Sequence, residues 1–233
     1  MKQSSAIQYL KSLNPQKDIE GMFKEGVKIG IYGSSFDPIT NVHLWTASTV
    51  AHRKKLDYVI FLPSIGEARR DKKLQTQDVH REEMVKMAIA NNPKFILDTY
   101  EMNVLPQQQY TYYTMEYFRE MFSKAKVFFI MGADLLVNIA EGKWRMAEEL
   151  IENNQFIVMA RNGINMLQTI SRSPLLRNHD DGRFQLLDKG LDMEISSTYI
   201  REEFARGGEP QYLLPNACYQ YIKENQLYRE IIR

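Results

Sequence analysis

Between Val27 and Lys55 the chain passes from a short apolar run, through a loop of small residues and proline, into a helical pattern. Few folds accommodate that succession. Val27 to Tyr32 is almost continuously apolar, which suits a parallel strand buried on both faces. Gly33, Ser34, Ser35, Asp37 and Pro38 then break the run with turn chemistry. From Thr40 a helical period follows, with Leu44, Ala47 and Ala51 on one face and Arg53, Lys54 and Lys55 in the last turn. A strand that feeds a helix through such a loop gathers free backbone N–H groups and the positive end of a helix dipole at one point. That is an anion site, most often a phosphate site. Thr40 and His43 are spaced to face the same anion from the first turn. The loop matches neither the P-loop nor the G-x-G-x-x-G pattern, so generic nucleotide motifs do not account for it.

A second stretch answers the first. Ile195-Ser196-Ser197-Thr198-Tyr199-Ile200-Arg201 sets hydroxyls at a helix start and an arginine one turn beyond Ser197. Alone, such a segment is ordinary helix capping. Beside the first loop it reads as a second grip, holding a polyphosphate from the opposite side.

Taken together, Gly33-Ser34-Ser35-Phe36-Asp37-Pro38-Ile39-Thr40-Asn41-Val42-His43 resembles the GSFDP-x-T-x-x-H signature, and Ile195 to Arg201 the ISSTxIR signature, of the nicotinate/nicotinamide mononucleotide adenylyltransferases. These belong to the HxGH nucleotidyltransferase superfamily. The resemblance runs from about residue 27 to 228 and takes in Gly132-Ala133-Asp134, Lys143-Trp144, Ala160-Arg161-Asn162-Gly163 and the tail from Tyr212 to Tyr228. It implies a Rossmann-like α/β fold and the joining of ATP to a pyridine mononucleotide, with Mg²⁺ carried in with ATP and no metal ligands from the protein. His43, Thr40 and Arg201 are the catalytic candidates it implies. Ser35, Phe36, Arg161, Ser196, Ser197 and Thr198 would join His43 and Arg201 around ATP. Gly33, Ser34, Thr111, Gly132, Asp134 and Trp144 would meet the mononucleotide, together with Lys72 or its neighbour Lys73. Trp144 would stack on the pyridine ring, a flat aromatic face against a flat cation. His80 would fix the loop rather than act in chemistry. Ser34 replaces the family's usual glycine and Tyr113 its usual aspartate. Thr40-Asn41-Val42-His43 is the Thr-Asn-x-His variant of the histidine motif.

Composition narrows the alternatives. A chain of 233 residues with net charge +1 has no general polyanion-binding surface, which argues against nucleic acid and anionic membranes as partners. The single cysteine, Cys218, excludes an internal disulfide and a cysteine-rich zinc site. No apolar run approaches a membrane span and the first residues lack a signal-peptide core, so a cytoplasmic location is expected. Apolar runs at Asp57–Leu62, Phe95–Leu97, Val127–Met131, Gln155–Ala160 and Phe184–Leu187 read as further strands, alternating with helical patterns. The expected architecture is one doubly wound parallel sheet over residues 27–233, preceded by an accessory, partly mobile segment at 1–26. That segment also offers a dimer-contact helix, leaving a homo-oligomer open. Residues 163 to 182, rich in Asn, Ser and Arg, read as a long loop, and Leu213 to Tyr228 as a closing helix.

The absence of a nucleophile set fits adenylyl transfer. No Ser-His-Asp order, metal-binding histidine pair or carboxylate dyad stands out in the sequence. A mononucleotide 5′-phosphate is already an ionised nucleophile, so positioning and charge stabilisation suffice. Nicotinate mononucleotide is the expected acceptor. Nicotinamide mononucleotide, or a binding-only sensor of the same fold, is the alternative.

Overall fold

In the computed structural model, residues 3–64, 76–105, 108–188 and 195–229 are described. Six strands form a single sheet in the order β3-β2-β1-β4-β5-β6: β1 Lys28–Ser34, β2 Tyr58–Pro63, β3 Phe95–Leu97, β4 Lys126–Gly132, β5 Gln155–Met159 and β6 Phe184–Leu187. Every pairing is parallel, with Tyr32 opposite Ile130 in β4 and Gly33 opposite Leu62 in β2. This is the doubly wound sheet expected from the apolar runs.

The period of two along each strand divides the core between the faces. Ile29, Ile31, Phe129, Met131, Phe156 and Val158 point to one side, where helices α1 Gln3–Leu13, α5 Thr111–Met121, α6 Ala133–Ala140 and α7 Ala147–Asn153 cover them. Phe61, Phe128, Ile130 and Ile157 point to the other, under α2 Asn41–Lys54, α3 Asp78–Ile89, α10 Ser197–Ala205 and α11 Asn216–Glu224. The short α4 Tyr100–Asn103 lies between β3 and α5. Gly30 sits where a side chain would place its first carbon 2.6 Å from Ile130 Cδ1, so glycine lets β4 pack close.

Two stretches differ from expectation. Residues 163–182 hold α8 Met166–Arg172 and α9 Pro174–Asn178, not a long loop. Asn165 and Ser173 cap these helices by accepting from Gln168 N and Leu176 N, and Met166, Ile170 and Leu176 are buried. Cap chemistry that also suits turns hid two short helices. The segment before β1 is packed: Ala6, Leu10, Ile19, Met22 and Phe23 join the core of the α1 face. Asn14 ties it to the edge strand, donating to Leu97 O at 2.9 Å and accepting from Leu97 N at 2.8 Å. Among the described residues, no helix is long and apolar enough to cross a membrane.

Candidate active site

Strand order reverses between β1 and β4, and the crevice at their carboxyl ends is where open α/β sheets take ligands. Residues Ser35 to Thr40 leave β1 there and enter α2. Thr40 is the N-cap, its Oγ1 accepting from His43 N, while its own backbone N–H donates to His43 Nδ1 at 3.0 Å. This reciprocal cap fixes more than the helix end. With Nδ1 engaged as an acceptor, a neutral His43 carries its proton on Nε2, turned away from the cap. The ring packs edge-on against buried Phe36, centroids 5.1 Å apart. Burial, helped by the positive charge of Arg161, pushes the imidazole down to about 4. His43 is therefore an uncharged hydrogen-bond donor at neutral pH.

The loop around it is held by five residues from elsewhere in the chain. Asp37, fully buried, accepts from Tyr228 Oη at 2.7 Å and from Thr76 N at 3.2 Å. Arg201 donates to Asp37 O at 2.5 Å and to Thr198 Oγ1 at 3.2 Å, while Ser197 Oγ donates to Pro38 O at 2.8 Å. The second stretch thus meets the first directly, with part of its donor capacity spent on the loop backbone. Ser196 caps α10, accepting from Tyr199 N. From α3, the fully buried Arg81 donates to Ser35 O at 2.6 Å, to Ser64 O at 2.8 Å and to Asp78 Oδ1 at 2.7 Å. His80 Nδ1 lies 2.9 Å from Tyr221 Oη, a contact between helices.

The sequence assigned no role of their own to Asp37, Arg81 and Tyr228. An Asp within the signature and an Arg on an otherwise ordinary helix were the available signals. Neither says which backbone carbonyl it will meet.

The side expected to meet the mononucleotide is more open. Gly132, not Asp134, is the N-cap of α6; Asp134 lies in its first turn. Its Oδ1 is shielded from solvent and has no hydrogen-bond partner, while Oδ2 faces Arg161 at 3.9 Å. A side chain at Gly132 would bring its first carbon to 2.3 Å from that Oδ1, so glycine keeps the carboxylate in place. Trp144 is half-buried, edge-on to Phe129 of β4 with centroids 6.3 Å apart. Arg145 donates to Tyr110 Oη at 3.0 Å, beside Thr111 at the start of α5. Gly33 and Ser34 end β1, and a first side-chain carbon on Gly33 would have nothing nearer than Leu62 O at 4.0 Å. Phe36 is placed as core: its ring is fully buried behind His43, which leaves only its backbone to meet a ligand. Lys72 and Lys73 lie outside the described residues.

The loop after β1 and the hydroxyl-rich start of α10 meet over the sheet's reversal point, and residues 31–203 match the cytidylyltransferase-like family model, which makes the chain a nucleotidyltransferase. Plasmodium falciparum nicotinic acid mononucleotide adenylyltransferase has this fold, both complexed with NaAD (TM-score 0.70, 22% identity, 89% of this chain and 100% of that one) and with APC (TM-score 0.69, 21% identity, the same coverage). The chain belongs to the nicotinate-nucleotide adenylyltransferase family: it is 34% identical to the Bacillus subtilis enzyme of that name over 202 residues, which span 86% of this chain and 98% of the relative.

Proposed function

We propose that the protein transfers the adenylyl group of Mg²⁺–ATP to nicotinate mononucleotide, yielding nicotinate adenine dinucleotide and pyrophosphate. An oxygen of the mononucleotide 5′-phosphate attacks the α-phosphorus of ATP. The bond from that phosphorus to the bridging oxygen breaks, and pyrophosphate leaves with its Mg²⁺.

The observation that carries the reading is the orientation of His43. Its Nδ1 is held by Thr40 N at 3.0 Å, so Nε2–H is the group left to donate to an α-phosphate oxygen. Charge grows on the non-bridging oxygens as phosphorus becomes pentavalent, and a preorganised donor binds that state better than the ground state. Ser196, Thr198 and the unused donors of Arg201 are assigned to the β,γ end, where a planar fork suits phosphate oxygens. Thr40, Ser35 and the Phe36 backbone are assigned beside them. The unpartnered Oδ1 of Asp134 supports a ribose-hydroxyl contact, since a shielded carboxylate oxygen gains most from a donor supplied by ligand. Trp144 and Thr111 are assigned to the pyridine ring and Arg161 to the adenine side.

The test is pyrophosphate release from Mg²⁺–ATP with nicotinate mononucleotide, nicotinamide mononucleotide and a pantetheine phosphate as separate acceptors. The nicotinate form should give the highest kcat/KM. A higher value for the nicotinamide form would reverse the preference, and no release with any acceptor would make the protein a binder rather than an enzyme.

A further inference from the structure

Away from the crevice, Glu148 and Glu152 stand one turn apart on α7, and His179 follows α9. One ligand atom from each lies within 4.8 Å of the other two. His179 Nδ1 is 2.8 Å from Leu175 O, and because a carbonyl can only accept, Nδ1 must carry the proton there. The lone pair of a neutral ring is then on Nε2, which lies 3.8 Å from Glu152 Oε1, beyond hydrogen-bonding distance. Three electron-pair donors thus converge with no donor hydrogen between them unless the ring takes a second proton. Such a group wants a cation.

We propose that Glu148, Glu152 and His179 form a binding site for a divalent transition metal of the zinc type. One imidazole with two carboxylates suits such a metal better than Mg²⁺ or Ca²⁺, which favour all-oxygen shells. The contact from Nδ1–H to a backbone carbonyl is the usual outer support of a metal-bound histidine and fixes its tautomer. The two glutamates are exposed and free to swing toward the ring to reach bonds of about 2.0–2.2 Å, and a water fills the fourth position. The metal would clasp α7, which leads into β5, to the end of the α8–α9 insertion, which leads into β6. Its role is to brace the sheet edge, with no part in adenylyl transfer.

The test titrates the metal-stripped full chain with Zn²⁺ by calorimetry, and with Co²⁺ by visible absorption, near pH 7.5. One Zn²⁺ per chain should bind in the micromolar range or tighter and raise Tm, and Co²⁺ should give the intense bands of a four-coordinate site. Glu152→Gln should weaken binding at least tenfold. His179→Asn, which keeps a donor for Leu175 O but loses the Nε2 lone pair, should do the same with the metal-free Tm nearly unchanged. Turnover of both variants should stay within twofold of wild type. Absence of micromolar binding would leave only a His179–Glu152 ion pair and overturn the proposal. Undiminished binding in the two variants would do so as well, by placing the metal elsewhere.

Discussion

The two ends of the crevice, one assigned to the phosphates and the other to the pyridine, are built differently. At the phosphate end, Asp37, Pro38 and Ser35 are tied down by Tyr228, Arg201, Ser197 and Arg81, from helices and turns far apart in the chain. At the pyridine end, Trp144 rests on Phe129 edge-on, Arg145 holds Tyr110, and Asp134 keeps one oxygen unpartnered. The difference follows from what each end must do. Charge stabilisation at a reacting phosphorus requires donors that are in place before the substrate arrives, because reorganisation would consume the gain. Stacking and sugar contacts draw their energy from the ligand itself and tolerate a looser wall. Substitutions at the first end should therefore act on kcat, and at the second on KM.

His43→Ala should have the largest effect on turnover, lowering kcat by about 10²–10³-fold, as for loss of one preorganised donor. Its half-buried ring fills no deep cavity, so Tm should change little. Near-normal turnover in a folded variant would remove His43 from the mechanism. The protonation state gives a second check. With the imidazole pushed down to about 4, His43 is neutral on both sides of its ordinary value, so kcat/KM should show no inflection near pH 6.5 from this residue. Below that value an unfolded chain binds the proton more readily than the folded one, so the contribution of His43 to stability is lost as pH falls toward 4.

Arg81→Met should rank next. Its guanidinium is fully buried and holds the carbonyls of Ser35 and Ser64, which the substitution leaves without donors. A destabilisation of about 3 kcal/mol is expected from the orphaned acceptors and the lost contact with Asp78. In protein kept folded by low temperature, kcat should still fall by about 10²-fold, since small displacements at a reacting centre are costly. Lower Tm with unchanged kcat would show that the loop holds its shape without Arg81.

Trp144→Ala tests the looser end. Loss of one stacking face costs about 1–3 kcal/mol by analogy with base–aromatic contacts, which corresponds to about 5- to 150-fold in KM for the mononucleotide. KM for ATP should barely move. Equal losses for both substrates would make Trp144 part of the core and erase the contrast between the ends.

How much of this was legible depended on whether a residue's partner was local. All six strands were readable because buried parallel strands announce themselves as apolar runs, and Thr40 and His43 because a cap and its third residue are close in sequence. The Asn165 and Ser173 caps were equally local, yet the short helices they open lack the length that makes a period visible. Arg81 and Asp37 were out of reach for another reason. A buried ion is meaningful only through distant partners, and Ser35 O and Tyr228 Oη are fixed by the assembled sheet. The N-terminal helix falls in the same class: its Tyr9 meets Asp98 and Thr99 across 89 and 90 residues of chain.

That last contact supplies the smallest expected effect on turnover and a useful control. Asp98 and Glu101 lie beyond β3, and burial pushes them up to about 6 and about 7. For Asp98 the cause is plain: Oδ1 accepts from Tyr100 N and Tyr9 Oη, while Oδ2 is sealed from water with no partner. Glu101 is relieved only in part by the hydroxyl of Thr114 at 2.8 Å. Raised carboxyl values mean that the folded protein binds more protons than the unfolded chain between the ordinary values, 3.8 and 4.5, and the elevated ones. Stability should therefore fall as pH rises from about 4 to about 7 on this account, then level off once both groups are ionised. Asp98→Asn removes one of the two titrations and should flatten that slope in denaturant unfolding series at pH 5, 6, 7 and 8. Its kcat should match wild type, because neither Asp98 nor Tyr9 belongs to the loops assigned to the phosphates. An unchanged slope would show that Asp98 is hydrated when ionised, and a large loss of kcat would extend the rigid region from the phosphate end to the sheet edge.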